Sequence, residues 1–461
     1  MKQLLPLADV VHTGAALSPL DGRYHAQLSD LRGYFSEFAL MRARCAVEIH
    51  HALALDVVFG ALTATERTQA LAVVEEFSAA DYADIKQLEA TLRHDVKACE
   101  VFLRNKGLFS NPNRIHFGLT SEDVNNVAYS MGARDYVHNV QLPMWAKTLQ
   151  DLIELAQASA AVAFPARTHG QHATPTTFGK ELSVFIGRLL PVYQSLKQHR
   201  FSAKLNGATG NYAALMVAAP QVDWREHERK FIESLCFSRN IATTQIEDCA
   251  SLGLWFDLVR RWNGVLLDLS RDIWLYISYG YVTQRSVAGE VGSSTMPHKI
   301  NPIRFENAEG NLELSCGQLG FLAEKLSHSR MQRDLSGSTV MRNIGVALGH
   351  HQLAVMEIQK GLTIIDVDSE VCARELAAHP ELLSEAAQTV LRTHRSDDVY
   401  TLLKDLSRGK HFSLDTWQTL LAELPQDTQL RLKDLTPQTY VGDSVRICRE
   451  VCALALAELG P

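Results

Sequence analysis

Three polar stretches carry most of the reactive side chains. Residues 292–302 read GSSTMPHKINP, which gathers two hydroxyls (Ser293, Ser294), an ammonium (Lys299) and an amide (Asn301) beside a glycine whose backbone can approach a ligand closely. Successive N–H groups near Gly292, together with Lys299, suit stabilisation of negative charge on a carboxylate or a serine alkoxide. Residues 167–181, RTHGQHATPTTFGKE, set His169 between a threonine and a glycine and end in a capping-type threonine before a predicted helix. An imidazole suits proton transfer near neutral pH, although a hydrogen-bonded loop histidine is the commoner role in a chain with 18 histidines. His172 has less claim, because it faces the turn made by Thr174 and Pro175. Residues 114–126, RIHFGLTSEDVNN, put Thr120 and Ser121 at a predicted helix start, where hydroxyls and backbone N–H groups can grip a carboxylate or phosphate. The same TSED run also reads as a plain N-cap with acidic first-turn residues.

Basic clusters add anion-binding capacity. They lie at DGRYH (residues 21–25, with Arg23 and Tyr24), LRHDVK (92–97, with Arg93, His94 and Asp95) and SRMQRDLSGSTVMRN (329–343). In the last, Arg333, Ser338 and Arg342 alternate guanidinium and hydroxyl groups, a combination suited to bidentate oxyanion recognition. For any single arginine, a solvated helix face with ion pairs is the simpler account. NGATGNY (206–212) has too few glycines and no preceding strand for a dinucleotide fingerprint, so it reads as a structural turn. CREVC (448–452) places two thiols along one helix without further ligands.

The segments between these stretches are helical in pattern. Apolar residues recur at three- and four-residue spacing, strict alternation is scarce, and the expected class is all-α. The longest stripe runs from Leu252 to Ile277 and predicts a helix that needs partners along its whole length. A second runs from Leu182 to Leu196, and a third starts near Val127 and resumes through Trp145 to Leu155. Such helices suggest a bundle whose outer stripes other subunits can cover. Polar loops interrupt it near residues 110–125, 165–176, 205–212 and 283–302. We expect an N-terminal helical domain over 1–113, a central long-helix domain carrying the catalytic loops over 114–368, and a C-terminal helical domain over 369–461.

Composition narrows the partners. In 461 residues, 45 Lys and Arg stand against 52 Asp and Glu, so the basic excess expected of a nucleic-acid binder is missing. No stretch supplies about 18 uninterrupted apolar residues, which leads us to expect no membrane span. The eight cysteines form no CxxC pair and fit reduced thiols, and the N-terminal run lacks a continuous apolar core. A cytoplasmic protein is the expectation.

Taken together, TSEDVNN, RTHGQHATP and GSSTMPHKINP resemble the three signature regions of the fumarase/aspartase superfamily, whose members release fumarate. Within it the chain is similar to the bacterial adenylosuccinate lyase family through SPLDGRY, RHDVKA, HFGLTSED, TTQIE, AGEVGSSTMPHKINP, FENAEGNL, RDLSGSTVMRN and LTPQTYVG. The likeness covers nearly the whole chain. It implies a homotetramer cored by the central long-helix bundle, with each active site assembled from loops of three subunits. It also implies purine nucleotide substrates: adenylosuccinate, giving AMP and fumarate, and the succinyl-carboxamide ribotide SAICAR, giving AICAR and fumarate. No metal or redox cofactor is implied. Another fumarate-releasing lyase of the superfamily, such as argininosuccinate lyase, is the alternative.

By motif position, the resemblance makes Ser293 the general base and His169 the general acid, with Lys299 and Asn301 holding the succinyl carboxylate. Arg23, Tyr24, Arg333, Ser338 and Arg342 match nucleotide and phosphate contacts, and Arg93, His94 and Asp95 match a second polar segment, in which the resemblance implies that His94 either assists the leaving group or binds phosphate. Thr120, Ser121 and Gln245 match succinyl-end and orienting contacts, and Asn307 matches a position that the resemblance implies is near the purine. Two departures bear on loop shape: His172 stands where the family pattern has proline, and Asp248 and Cys249 follow TTQIE where proline and histidine are usual.

Overall fold

The computed structural model describes residues 16–286, 289, 295–296, 298–393, 398–401, 404, 413–422 and 424–460. Long helices dominate it, as an all-α reading requires, and three short two-stranded ladders are added to them. The chain forms two compact units, one from residues 1–144, 193–264 and 311–354, the other from 145–192, 265–310 and 355–461.

In the first unit, helix Glu37–Ala54 packs on helix Ser121–Tyr136. Met41, Cys45, Ile49, Ile85, Cys99 and Phe102 close a core with almost no exposed surface. Capping residues mark the helix starts. Ser36 Oγ accepts from Ala39 N–H at 3.1 Å, and Thr63 with Glu66 and Ser78 with Asp81 form reciprocal capping boxes. Residues 92–97 are a junction between helices: Arg93 adopts a left-handed conformation (φ 56°) after helix Ala79–Leu92, and His94 caps helix Asp95–Asn105. Helix Ser121–Tyr136 continues through a π turn at Val137–Gln141 into helix Leu142–Ala158. Pro143, just beyond that turn, has no N–H to donate, and widening of the helix there accommodates it.

In the second unit, strands Ala163–Thr168 and Gln171–Thr177 form an antiparallel hairpin. The alternation in this stretch is hidden by its threonines and prolines, so what the sequence presents as a loop at 165–176 is a β-hairpin. Thr177 Oγ1 then accepts from Lys180 N–H at 3.3 Å and caps helix Phe178–Gln198. Gly179 is required by close approach, since a Cβ there would stand 2.3 Å from Ala156 O and 2.6 Å from Ala160 Cα. Helix Ser444–Leu459 buries Cys448 and Cys452 completely. A second cluster of Leu383, Leu391, Trp417, Leu421 and Leu432 seals the C-terminal helices.

Helix Ala250–Ser278 spans 29 residues, about 43 Å at 1.5 Å per residue. It buries Trp255, Val259, Trp262, Leu266, Leu269 and Ile273 along the stripe seen in the sequence. Other long-helix positions stay exposed: Leu254 (62%), Leu314 (53%) and Phe321 (56%) in the first unit, Trp274 (40%) and Ile303 (47%) in the second. No helix of the described residues is long and apolar enough to cross a membrane.

Candidate active site

In the first unit, a cleft of about 440 Å³ brings together four sequence segments that lie far apart in the chain. Its lining includes Arg44, His94, Asp95, Ser121, Arg333, Ser338 and Arg342. It adjoins a cleft of about 590 Å³ with which it shares Glu122, Asn125, Tyr129, Arg333 and Ser338. One polar network threads both. Arg342 Nη2 donates to Asp95 Oδ2 at 3.1 Å, and Arg44 Nη1 reaches the same oxygen at 2.9 Å. Arg44 Nε donates to Asn125 Oδ1 at 2.9 Å, and Asn125 Nδ2 donates to Glu122 Oε1 at 2.8 Å. Arg333 Nη2 pairs with that same Glu122 oxygen at 2.8 Å, while its Nη1 donates to Gln245 Oε1 at 3.1 Å. Gln245 Nε2 in turn donates to Ala208 O at 3.1 Å, tying in the 206–212 turn.

Three guanidinium groups thus face two carboxylates, Asp95 and Glu122, in the smaller cleft. Arg342 Nη1 also lies 4.0 Å from Glu37 Oε1 at the edge of the cleft, and the guanidinium donors gathered in this partly buried site suit an anion. Burial pushes the Asp95 carboxyl up, but Arg44, the Val96 N–H and Arg342 outweigh it and hold the group below the ordinary carboxylate value. Burial raises the Tyr129 hydroxyl and the Cys249 thiol, so both line the clefts as neutral groups.

Thr120 and Ser121 sit at the start of helix Ser121–Tyr136, as TSED suggests. Thr120 N–H donates to Asp123 Oδ2 at 2.8 Å, and that carboxylate also accepts from Asn206 N–H and Gly207 N–H at 3.0 and 3.1 Å. Lys204, fully buried, completes the set at 2.9 Å from Asp123 Oδ1. A buried charge needs such partners, and here they clamp the TSED turn to the 206–212 turn. Ser121 Oγ lies 3.5 Å from His94 Nε2. His94 Nδ1 accepts the Lys97 N–H at 3.2 Å, so Nε2 is the protonated nitrogen of the neutral ring.

Other candidates lie apart from this network. Arg23 is exposed, its guanidinium 5.7 Å from the Tyr24 ring centroid, and Arg93 is exposed at its junction. In the second unit, His169 occupies the hairpin tip, with φ of 53° there and 75° at Gly170, a type I′ turn between the paired Thr168 and Gln171. Its ring is exposed and has no hydrogen-bond partner among the described residues. Lys299 is exposed and Asn301 half-buried before helix Ile303–Leu326, on which Asn307 sits half-buried. Ser293 lies outside the described residues.

Several polar residues of the site carried no signal in the sequence. Glu122 and Asn125 stand inside TSEDVNN but read there as helix-start polarity. Arg44 lies on helix Glu37–Ala54 with no motif around it, and only its 3% exposure beside Asp95 marks it. His172 does not face the 174–175 turn. Its Nε2 lies 2.8 Å from Glu375 Oε1, and its ring centroid 3.8 Å from that of His379. These three residues are one group with the donor types of a metal site, their ligand atoms within 4.8 Å of one another.

Residues 22–318 match the family described as Lyase, and residues 329–441 match the one described as Adenylosuccinate lyase C-terminal. The chain is 41% identical to adenylosuccinate lyase of Haemophilus influenzae over 454 residues, 95% of this chain and 99% of that one. It is 40% identical to adenylosuccinate lyase of Escherichia coli K12 over 450 residues, 95% and 98% of the two chains. A 3-carboxy-cis,cis-muconate lactonizing enzyme from Pseudomonas putida shares the fold, with TM-score 0.76, 22% identity and coverage of 93% and 97%. Fumarate lyase from Mesorhizobium sp. BNC1 gives TM-score 0.73 at 17% identity, covering 92% and 97%. With both family matches and full-length relatives at this identity, the chain belongs to the adenylosuccinate lyase family of C–N lyases.

Proposed function

We propose that the chain eliminates fumarate from adenylosuccinate, leaving AMP, and from SAICAR, leaving AICAR. The observation that carries the substrate class is the cleft of the first unit, which gathers the guanidinium groups of Arg44, Arg333 and Arg342, with Arg342 half-exposed and able to turn to a nucleotide phosphate. Ser121 and Ser338 add hydroxyl donors to the same walls.

The chemistry needs three things. A base removes a proton from the carbon next to a succinyl carboxylate, an anion clamp stabilises the aci-carboxylate, and an acid protonates the departing nitrogen. The reaction is redox-neutral. His169 serves as the acid: its exposed imidazole, on a turn whose left-handed backbone projects it from the hairpin, is free to approach a bound substrate. Ser293 serves as the base, its alkoxide favoured where bound substrate excludes water. Lys299 and Asn301 hold the carboxylate that takes up the charge, with Thr120 and Ser121 at the succinyl end. The nucleotide lies along Arg23, Tyr24, His94, Arg333, Ser338 and Arg342, with Asn307 toward the purine and Gln245 orienting Arg333.

The protein works in the cytoplasm as a homotetramer with sites shared between subunits. The exposed Leu254, Leu314, Phe321 and Trp274 on the long helices support association, since such side chains on a bundle need covering. An absorbance assay for fumarate release from each purine substrate tests the function. Turnover of argininosuccinate with none of adenylosuccinate would overturn it.

A further inference from the structure

His172, Glu375 and His379 converge in the second unit as if on a cation, and the cation is present: it is the guanidinium of Arg167. Arg167 Nη2 lies 2.9 Å from His172 Nε2, 3.3 Å from Glu375 Oε1 and 3.1 Å from the Tyr281 hydroxyl. The plane of the group also rests over Tyr279, 4.5 Å from the ring centroid. A metal ion on His172 Nε2 would stand against this guanidinium, and like charges at that range in a half-buried site repel strongly. Arg167 therefore takes the place that a metal would need.

The other end of Arg167 matters more. Its Nη1 donates to Gly170 O at 3.2 Å, the residue beside His169 in the hairpin turn. One side chain thus ties the tip of the hairpin to helix Ser369–Ala378, which carries Glu375, and to the 279–281 segment. The histidines brace this anchor. His379 Nδ1 lies 2.7 Å from Glu381 Oε1, and its ring packs on His172. The planar five-donor guanidinium is suited to this, because it serves several acceptors in different directions at once.

We propose that Arg167, with Glu375 as its counter-ion, is a positioning residue: it fixes the 169–170 turn so that the His169 imidazole meets the leaving nitrogen in line. This rests on the reading of His169 as the acid. Among the described residues the His169 imidazole has no hydrogen bond of its own, so within the chain its direction follows from the backbone of the left-handed turn that Arg167 holds. Neither Arg167 nor Glu375 touches substrate in this account.

The test is a double-mutant cycle on the full-length enzyme with adenylosuccinate. Glu375→Gln keeps an acceptor but removes the counter-charge, and is expected to lower kcat about 10- to 100-fold with KM within about twofold and an unchanged melting temperature. In a His169→Ala background the same change is expected to cost nothing further, because the group it positions is gone. Unchanged kcat for Glu375→Gln, or an undiminished loss in the His169→Ala background, would overturn the proposal. Should Glu375→Gln fail to fold, Arg167→Lys, which keeps the charge but cannot reach all four acceptors, is run through the same cycle and judged by the same criteria. Near-normal turnover of His169→Ala alone would instead remove His169 from catalysis, and the positioning role with it.

Discussion

Arg342 and Asp95, 247 positions apart in the chain, meet at 3.1 Å and join two polar segments in one cleft wall. Asp95 also neutralises Arg44, which is 3% exposed. The carboxylate therefore does two jobs, restraining a half-exposed cation that can turn to a phosphate and pairing one that cannot leave.

Asp95→Asn is expected to destabilise the fold by about 3 kcal/mol, because it leaves Arg44 buried without a counter-charge. The pH dependence follows from the depressed carboxyl. Its stabilisation is fully present above the ordinary value of 3.8 and is lost as the pH falls through the lower folded-state value. The difference between wild type and variant, measured by urea unfolding, should therefore shrink below about pH 4. A gap that stays constant into acid would assign the effect to packing rather than charge.

His169→Ala is expected to lower kcat by about 10²- to 10⁴-fold with little change in KM, as for a lost general acid. If sites are shared between subunits, mixing this variant with Ser293→Ala should restore part of the activity. Verified subunit exchange without recovery would place all catalytic groups of a site in one chain.

Arg333 holds Glu122 and Gln245 with different nitrogens of one plane, 2.8 and 3.1 Å away. Lysine has a single ammonium and cannot keep both while facing an anion. Arg333→Lys should raise KM about tenfold, near 1.4 kcal/mol, with kcat within about threefold. An unchanged KM would remove Arg333 from substrate binding.

His51 is wholly buried, its Nε2 3.0 Å from Phe117 O. Burial pushes its imidazole down to about 4, against the raising effect of the Phe117 bond. The unfolded chain takes up a proton near 6.5 while the folded one does not, so stability falls as the pH drops between about 6.5 and 4, by up to about 1.4 kcal/mol per unit. Above that window the contribution is intact. His51→Gln, whose amide can still donate to Phe117 O, should flatten this slope in denaturant midpoints taken from pH 7 to 4.5. A slope equal to that of wild type would assign the acid sensitivity to other groups.

Much of the helical layout was legible in residue order because it rests on short-range periodicity. The stripe from Leu252 to Ile277 became helix Ala250–Ser278, and TSED became a capped helix start, since both depend on neighbours three or four positions away. The hairpin at 163–177 was not legible. Its threonines and prolines blur any alternation, and its strands are defined by pairing with each other rather than by local pattern.

The chemistry divides in the same way. Residue order by itself determined which side chains exist to do the work and in which segments they lie: the hydroxyls and amide of GSSTMPHKINP, the imidazole of RTHGQHATP, and the arginines of RDLSGSTVMRN. Only the tertiary structure decided that Asp95, Arg342 and the motif-less Arg44 share a cleft, that Asp123 and Lys204 clamp two turns together, and that Arg167 reaches from Gly170 to Glu375. The physical reason is burial. A charged group out of water must find partners wherever the fold brings them, and those partners lie tens to hundreds of positions away, where no local pattern records them.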